Sequence, residues 1–414
     1  MKFCDVVQFY SPLGGGVRRY LDDKIRYLAG KADVSHTVIV PSHRNAVDSA
    51  LNSKMIEIKS LRLVGSLSYR MLLNRSRIMS VIDQERPDLI EVGDPYRSAW
   101  ITLEAAQRHN IPVAAFYHSD FPRALGRTIR RFCSPPMERM LSNVVQRYIV
   151  NLYNRMSVTV VASRRLQRVL IECGIPRVVC IPLGTDVSVF CPNPDGMQLR
   201  EELGLPPNAR LLLYIGRLAR EKNIRRLIDM MDVLNGDPSS EKTSRLLLVG
   251  DGELRGFVEK TISHRSDVIW RQYCKSREKL TAYYSAADLF VHAGNVETFG
   301  ITSLEAQACG LRVLAVKGGG LDDTVAGESP CIMAASTSGV DLARGVLEAE
   351  AAEQPGDSER RRRRMIDSFS IQTTFDRLFA LYRHILENRV VDEFRYSEDS
   401  CSENESQHPT VLTG

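Results

Sequence analysis

The chain reads as an α/β protein of two domains, each a parallel sheet wrapped by helices, facing one another across a cleft. Three observations carry that reading. Short apolar runs alternate with helix-period stretches along most of the sequence, a pattern that builds parallel sheets through right-handed crossovers. The 414 residues exceed what a single core usually organises, so two domains are expected. A polar, proline-containing stretch from Pro192 to Asn208 divides the strand–helix series in two and reads as a linker.

Composition narrows the class. Hydrophobic content of 43% and charged content of 25% belong to an ordinary water-soluble domain protein. Nine cysteines are scattered without a Cys-x-x-Cys pair or a histidine cluster, so neither a disulfide framework nor a zinc site is expected. The start, MKFCDVVQFYSP, is interrupted by Asp5 and Gln8 and lacks the apolar core of a signal peptide. No apolar run approaches the ~20 residues of a membrane-spanning helix. These features point to the cytoplasm.

The first domain, residues 1–192, opens with a strand over 3–9, the run Gly14-Gly15-Gly16, and a helix kept in phase by Val17, Tyr20, Leu21 and Leu28. Glycines between a strand and a helix let backbone N–H groups meet phosphate oxygens; they also serve a plain tight turn. The spacing departs from G-x-G-x-x-G, and the next strand, His36 to Pro41, ends without a carboxylate, which disfavours a dinucleotide. Strands from Asp88 and from Pro112 flank a helix around 97–109. Groups that act on a ligand collect at strand carboxyl ends in such sheets. Asp94, His118 and Asp120 fall at such ends, although a lone histidine is more often structural. Val158 to Ala162 forms the next strand, with Ser163 capping the helix that follows.

The second domain, residues 209–371, begins with RLLLYIGRLAREKN from Arg210. A buried strand ends at Gly216, and Arg217 and Lys222 follow before a helix. Two cations at a strand end can neutralise a diphosphate. Leu246 to Val249 and Val268 to Cys274 continue the strands. The stretch that organises the chain is Gly294 to Gly310, GNVETFGITSLEAQACG. Asp288 to His292 precede it as a strand, and Gly310 stops the helix inside it. Glu297 then stands at the helix mouth and Glu305 about two turns further in. Thr302 or Ser303 can cap the first turn. Backbone N–H groups at Phe299, Gly300 and Ile301 favour a phosphate. A phosphate flanked by two carboxylates that accept hydroxyls describes a nucleotide sugar. Two glutamates eight apart also describe a solvated helix face.

This stretch resembles the Glu-x7-Glu motif of retaining glycosyltransferases of family four (glycosyl transferase group 1), which have the GT-B fold of two Rossmann-like domains. Other segments resemble the family in the same order, to about residue 388. Ile181 to Phe190 is similar to its Pro-x-Gly-x-Asp-x-x-x-Phe segment before the hinge, and Gly216 to Lys222 to its pyrophosphate site. Gly318 to Asp323 departs from the family's Gly-Gly-x-Pro-Glu, with Asp322 and Asp323 in place of Pro and Glu.

The resemblance implies a hexosyltransferase that retains anomeric configuration by same-face internal return. It implies sugar contact at His118 and Glu297, ribose contact at Glu305, and a nucleobase beside the strand ending at Tyr273. Arg217, Lys222 and the loop Gly14, Gly15 and Gly16 would hold the diphosphate. No Asp-x-Asp occurs in the chain, so neither a divalent metal nor another cofactor is expected. The donor preferred by similarity is GDP-mannose, with a UDP-sugar as alternative. An epimerase, or a nucleotide-sugar-binding protein without catalysis, would use the same architecture; turnover without acceptor separates the first from a transferase.

Basic residues set expectations about the acceptor. Between Phe121 and Leu170 stand ten arginines and one carboxylate, Glu138, interleaved with Leu125, Ile129, Phe132, Met137, Met140 and Leu141. That mixture suits a helix at an anionic membrane surface, and so a lipid or lipid-linked glycan acceptor, with Asp94 and Asp120 on the acceptor side. It also fits a solvated face with core contacts. No motif indicates nucleic acid. The run Arg360 to Arg364 reads as a solvated helix face. Residues 372–388 read as a helix crossing back to the first domain, and 389–414 as a disordered tail.

Overall fold

The computed structural model describes residues 1–10, 15–50, 52–63, 69–118, 134–236, 242–325 and 331–388. Gly14, Asp120, residues 121–133 of the basic stretch, and the tail 389–414 lie outside them.

Among the described residues the first domain contributes β1 (Lys2–Val6), β2 (Ser35–Ser42), β3 (Ala46–Ala50), β4 (Ser53–Lys59), β5 (Leu61–Arg62), β6 (Arg70–Met71), β7 (Leu89–Val92), β8 (Val113–Phe116), β9 (Val158–Val161) and β10 (Val178–Cys180). Eight of these form one sheet in the order β10-β9-β8-β7-β1-β2-β4-β3, parallel apart from β3, which runs against β4. The pair β5–β6 is a separate antiparallel ribbon. The second domain contributes β11 (Arg210–Ile215), β12 (Ser244–Val249), β13 (Val268–Arg271), β14 (Leu289–His292), β15 (Val313–Val316) and β16 (Ile332–Ala334). Its sheet, ordered β13-β12-β11-β14-β15-β16, is parallel throughout.

Strands buried on both faces read as unbroken apolar runs, as in LLLYI of β11. In each sheet the strand order reverses beside the first strand of the domain, between β1 and β7 and between β11 and β14. Loops at such a reversal diverge and leave a crevice.

The chain crosses between domains twice. Thr185 and Ser370 pair as a parallel bridge, with Thr185 donating to the Phe369 carbonyl at 2.8 Å. Gly184 makes this approach feasible, since a Cβ there would lie 2.3 Å from the Ser370 carbonyl oxygen. Helix Ile371–Asn388 then lays Phe375, Leu378, Phe379, Tyr382 and Ile385 into the first-domain core beside Phe3, Leu21 and Val38. Each such buried side chain stabilises by ~1.5–3 kcal/mol.

Three expectations change. The stretch 193–208 contains helix Asp195–Glu202, packed so closely on the second domain that a Cβ on Gly196 would strike the Ser285 backbone at 2.6 Å. The arginine run is solvated only at Arg360 and Arg363; its other three members form a clamp. Arg361 is buried and donates to the Gly310 carbonyl and Glu353. Arg362 donates to the carbonyls of Ala308 and Phe190, and Arg364 to that of Thr324. A guanidinium has enough donors to satisfy several helix-end carbonyls at once. Finally, helix Ile301–Ala308 starts without a side-chain cap. Its N-cap is Gly300 at φ 83°, and the Ser303 hydroxyl turns back onto the Gly300 carbonyl at 2.7 Å.

Candidate active site

At the reversal of the second sheet, two strand-end loops are held together. After β11, Arg220–Lys222 forms a short 3-10 turn closed by Asn223 in the left-handed region. The Asn223 amide donates to the Ala293 carbonyl beyond β14 at 2.9 Å. This brings the Lys222 ammonium onto Glu297 as an ion pair. His292, the buried last residue of β14, places Nε2 3.4 Å from the same carboxylate oxygen. Burial pushes the Glu297 carboxyl up, but His292 and the Lys222 charge outweigh it and hold the group well below the usual carboxylate range. The Glu297 carbonyl accepts from Gly320 N–H at 2.8 Å, which stacks the Gly318–Gly320 loop against it.

Arg217 departs from the expected pair. Its side chain is 70% exposed and meets Glu221 at 3.1 Å, so Lys222 turns inward and Arg217 stays at the rim. Tyr273 is exposed beyond the outermost strand β13. The Phe299 ring is buried against Phe369, leaving only its backbone on the loop. Ile301 is half-buried at the helix start.

Glu305 is fully buried. One oxygen accepts from the Tyr284 hydroxyl at 2.7 Å, and the other pairs with Arg19, which comes from the first domain. Helix Gly16–Leu28 follows the glycine loop, where Gly15 has φ 121°. Its Arg19, Asp23 and Arg26 are spaced four and three apart and so share one face. Asp23 accepts from Arg277 of the second domain at 2.7 Å, and Arg26 reaches Asp186 in the hinge at 3.0 Å. The Asp323 carboxylate accepts from Arg164 N–H across the cleft at 2.6 Å. The residue that stands where the family has glutamate therefore ties the domains together. Asp322 instead accepts from Gly318 N–H at 3.1 Å.

The reversal of the first sheet carries Asp94. Its Oδ2 accepts both Gln8 and Phe9 N–H groups at 3.0 Å, joining the ends of β1 and β7. Burial, opposed by those two bonds, pushes its carboxyl up to about 6. His118 lies beside it, stacked on Phe116 with ring centroids 4.5 Å apart. Burial, with help from the charge of Lys24, pushes its imidazole down to about 3. The ring is thus neutral across the physiological range. Asp94, His118, Phe9, Tyr96, Tyr117 and Tyr153 line a small cavity.

Beneath helix Gly16–Leu28 lies a buried network that sequence reasoning missed. The Lys24 ammonium donates to Asp5 at 3.0 Å and Glu91 at 2.8 Å. His36 meets Asp5 at 2.8 Å, and the Tyr20 and Tyr382 hydroxyls donate to Glu91. A charged residue inside the apolar strand FCDVV was the available signal. His292, Tyr284 and Arg19 were also missed; the shared face of residues 19, 23 and 26 was the signal for the last.

Two doubly wound sheets, with a carboxylate–cation group at the second reversal and a neutral histidine at the first, make a two-domain α/β architecture with a polar site at each reversal. Sequence comparison specifies it. The family described as glycosyl transferases group 1 matches residues 197–367, and that described as glycosyltransferase family 4 matches residues 14–189. The chain belongs to these GT-B glycosyltransferases.

Among curated relatives, it is 25% identical to sulfoquinovosyl transferase SQD2 of Arabidopsis thaliana over 75% of this chain, though over only 58% of that protein. It is 25% identical to a GDP-mannose-dependent alpha-(1-6)-phosphatidylinositol dimannoside mannosyltransferase of Mycobacterium tuberculosis, over 80% of this chain and 83% of the relative. Among solved structures, sucrose-phosphate synthase from Thermosynechococcus elongatus superposes with a TM-score of 0.74 at 21% identity, covering 94% of this chain and all of that one. Anabaena HepE in complex with UDP gives 0.70 at 19%, covering 92% and 100%. No helix among the described residues is long and apolar enough to cross a membrane.

Proposed function

We propose that the protein is a retaining, metal-independent hexosyltransferase that moves mannose from GDP-mannose to a lipid or lipid-linked glycan at the cytoplasmic membrane face. The observation that carries the reading is the Lys222–Glu297–His292 group at the reversal of the second sheet. A carboxylate kept anionic by two partners accepts hydrogen bonds from sugar hydroxyls, and the adjacent ammonium stabilises negative charge developing on the leaving diphosphate. Arg217 and the glycine loop supply further contacts to the phosphates, and Glu305 takes the ribose. The neutral His118 ring accepts or donates a hydrogen bond to the transferred sugar without bringing charge. The leaving phosphate itself receives the acceptor proton, so no protein nucleophile is required.

Mannose is preferred because several relatives are GDP-mannose-dependent mannosyltransferases, at 25–29% identity. The membrane side rests on helix Pro135–Tyr153, where Met137, Met140, Val144 and Tyr148 are exposed along one stripe beside exposed Arg139 and Arg147. Such a face suits the boundary of an anionic leaflet. A thermal-shift comparison of GDP and UDP tests the donor: a ligand at a hundred times its dissociation constant stabilises by ~2.7 kcal/mol. A shift with UDP and none with GDP would replace the donor assignment. Sedimentation with anionic vesicles tests the surface; equal recovery in the supernatant with and without vesicles would point to a soluble acceptor.

A further inference from the structure

We infer that Arg19 is a latch that competes with the donor for Glu305, so that the first domain guards the nucleotide site of the second. The inference rests on the reading of Glu305 as the ribose carboxylate. With Arg19 on one oxygen and the Tyr284 hydroxyl on the other, both sides of this fully buried group are taken. A ribose can reach Glu305 only after the guanidinium leaves.

The latch is built to hold and to release. Its guanidinium also lies over the Phe190 ring, 5.2 Å from the centroid, and Phe190 belongs to the hinge segment. The same helical face carries Asp23 to Arg277 and Arg26 to Asp186, so the contact forms only when the domains approach. Yet the Arg19 side chain keeps 22% of its surface exposed, so the guanidinium has a path to water once ribose hydroxyls take its place on the carboxylate. The neutral Tyr284 hydroxyl cannot balance the Glu305 charge by itself. A cation that closes the cleft and then yields to ribose hydroxyls prevents that carboxylate from being buried unpaired.

Competition of this kind lowers apparent affinity by the fraction of molecules in which Glu305 is free. Removing the competitor restores it. The test is calorimetric titration of the whole chain and of Arg19→Ala, Arg19→Gln and Arg18→Ala with GDP and with UDP. Arg18 pairs with Asp22 on its own helix at 3.4 Å, so its variant removes the same charge without touching Glu305. Both Arg19 variants are expected to bind the favoured nucleotide ~3- to 10-fold more tightly than the parent, with Arg18→Ala unchanged. Weaker or equal binding by the Arg19 variants would overturn the latch, as would equal tightening by Arg18→Ala. Failure of the parent to bind either nucleotide would instead remove the donor-site reading, and the latch with it.

Discussion

The two sheets reverse their strand order in the same way and each places a carboxylate after the strand at the reversal, yet they treat it in opposite ways. At the first reversal Asp94 spends an oxygen on two backbone N–H groups and receives no cation among the described residues, and its carboxyl is pushed up to about 6. At the second reversal Glu297 is met by an ammonium and an imidazole and is driven down. The difference teaches that topology supplies the crevice, whereas the loop residues decide its charge. A crevice with a fixed anion and an adjacent cation suits hydroxyls next to a diphosphate. One lined by aromatic rings and a neutral histidine suits an uncharged acceptor group.

The comparison can be broken in several ways. The largest effect is expected in the first domain, where the Lys24 ammonium bridges two buried carboxylates, Asp5 and Glu91. Replacing it with Met should destabilise the fold by ~3–5 kcal/mol, because both would be left without their cation; denaturant titration measures this. A loss below about 1 kcal/mol would mean the network is not the brace described here.

Next in size is Lys222→Ala at the second reversal. It should slow sugar transfer ~100-fold, as for loss of one charge-stabilising donor, with Asp94→Asn slowing it far less. Steady-state kinetics with the identified donor decide between them.

The smallest effect is the most specific, because the two carboxylates should give pH dependences of opposite sign. Asp94 binds its proton more tightly folded than unfolded, so the wild type loses stability relative to Asp94→Asn as pH climbs from about 4 to about 6, on the order of 2–3 kcal/mol in all. Glu297 is depressed, so its contribution is present above the unfolded value of 4.5 and fades as pH falls below it. Glu297→Gln should therefore differ most from the wild type near neutrality and converge with it in acid. Melting curves from pH 3 to 8 are the measurement, and parallel profiles for both variants would erase the distinction.

Much of this was legible in the sequence because periodicity and strand-end position are local signals. The strand ending at His292, the helix over 97–109 and the Ser163 cap follow from residue spacing alone. The inward turn of Lys222 and the outward turn of Arg217 were not legible, since the 3-10 turn between them sets their directions. Arg361 was misread because five consecutive basic residues look solvated, yet a helix turns each by 100° and puts one of them inside. Arg19 was missed because its partner comes from the other domain, and a lone arginine after a glycine loop looks like an ordinary surface residue. Residues 193–208 look like a linker by composition; only packing against Ser285 shows that they belong to the second domain.

The central claim is that the second reversal, and not the first, holds the nucleotide. Calorimetric titration of GDP into the wild type, Lys222→Ala and Asp94→Asn tests it most directly. A charge-assisted hydrogen bond to phosphate contributes ~1.5–3 kcal/mol, so Lys222→Ala should bind ~10- to 100-fold more weakly while Asp94→Asn binds as the wild type does. Undiminished binding by Lys222→Ala, with loss confined to Asp94→Asn, would place the donor in the other domain and contradict the account.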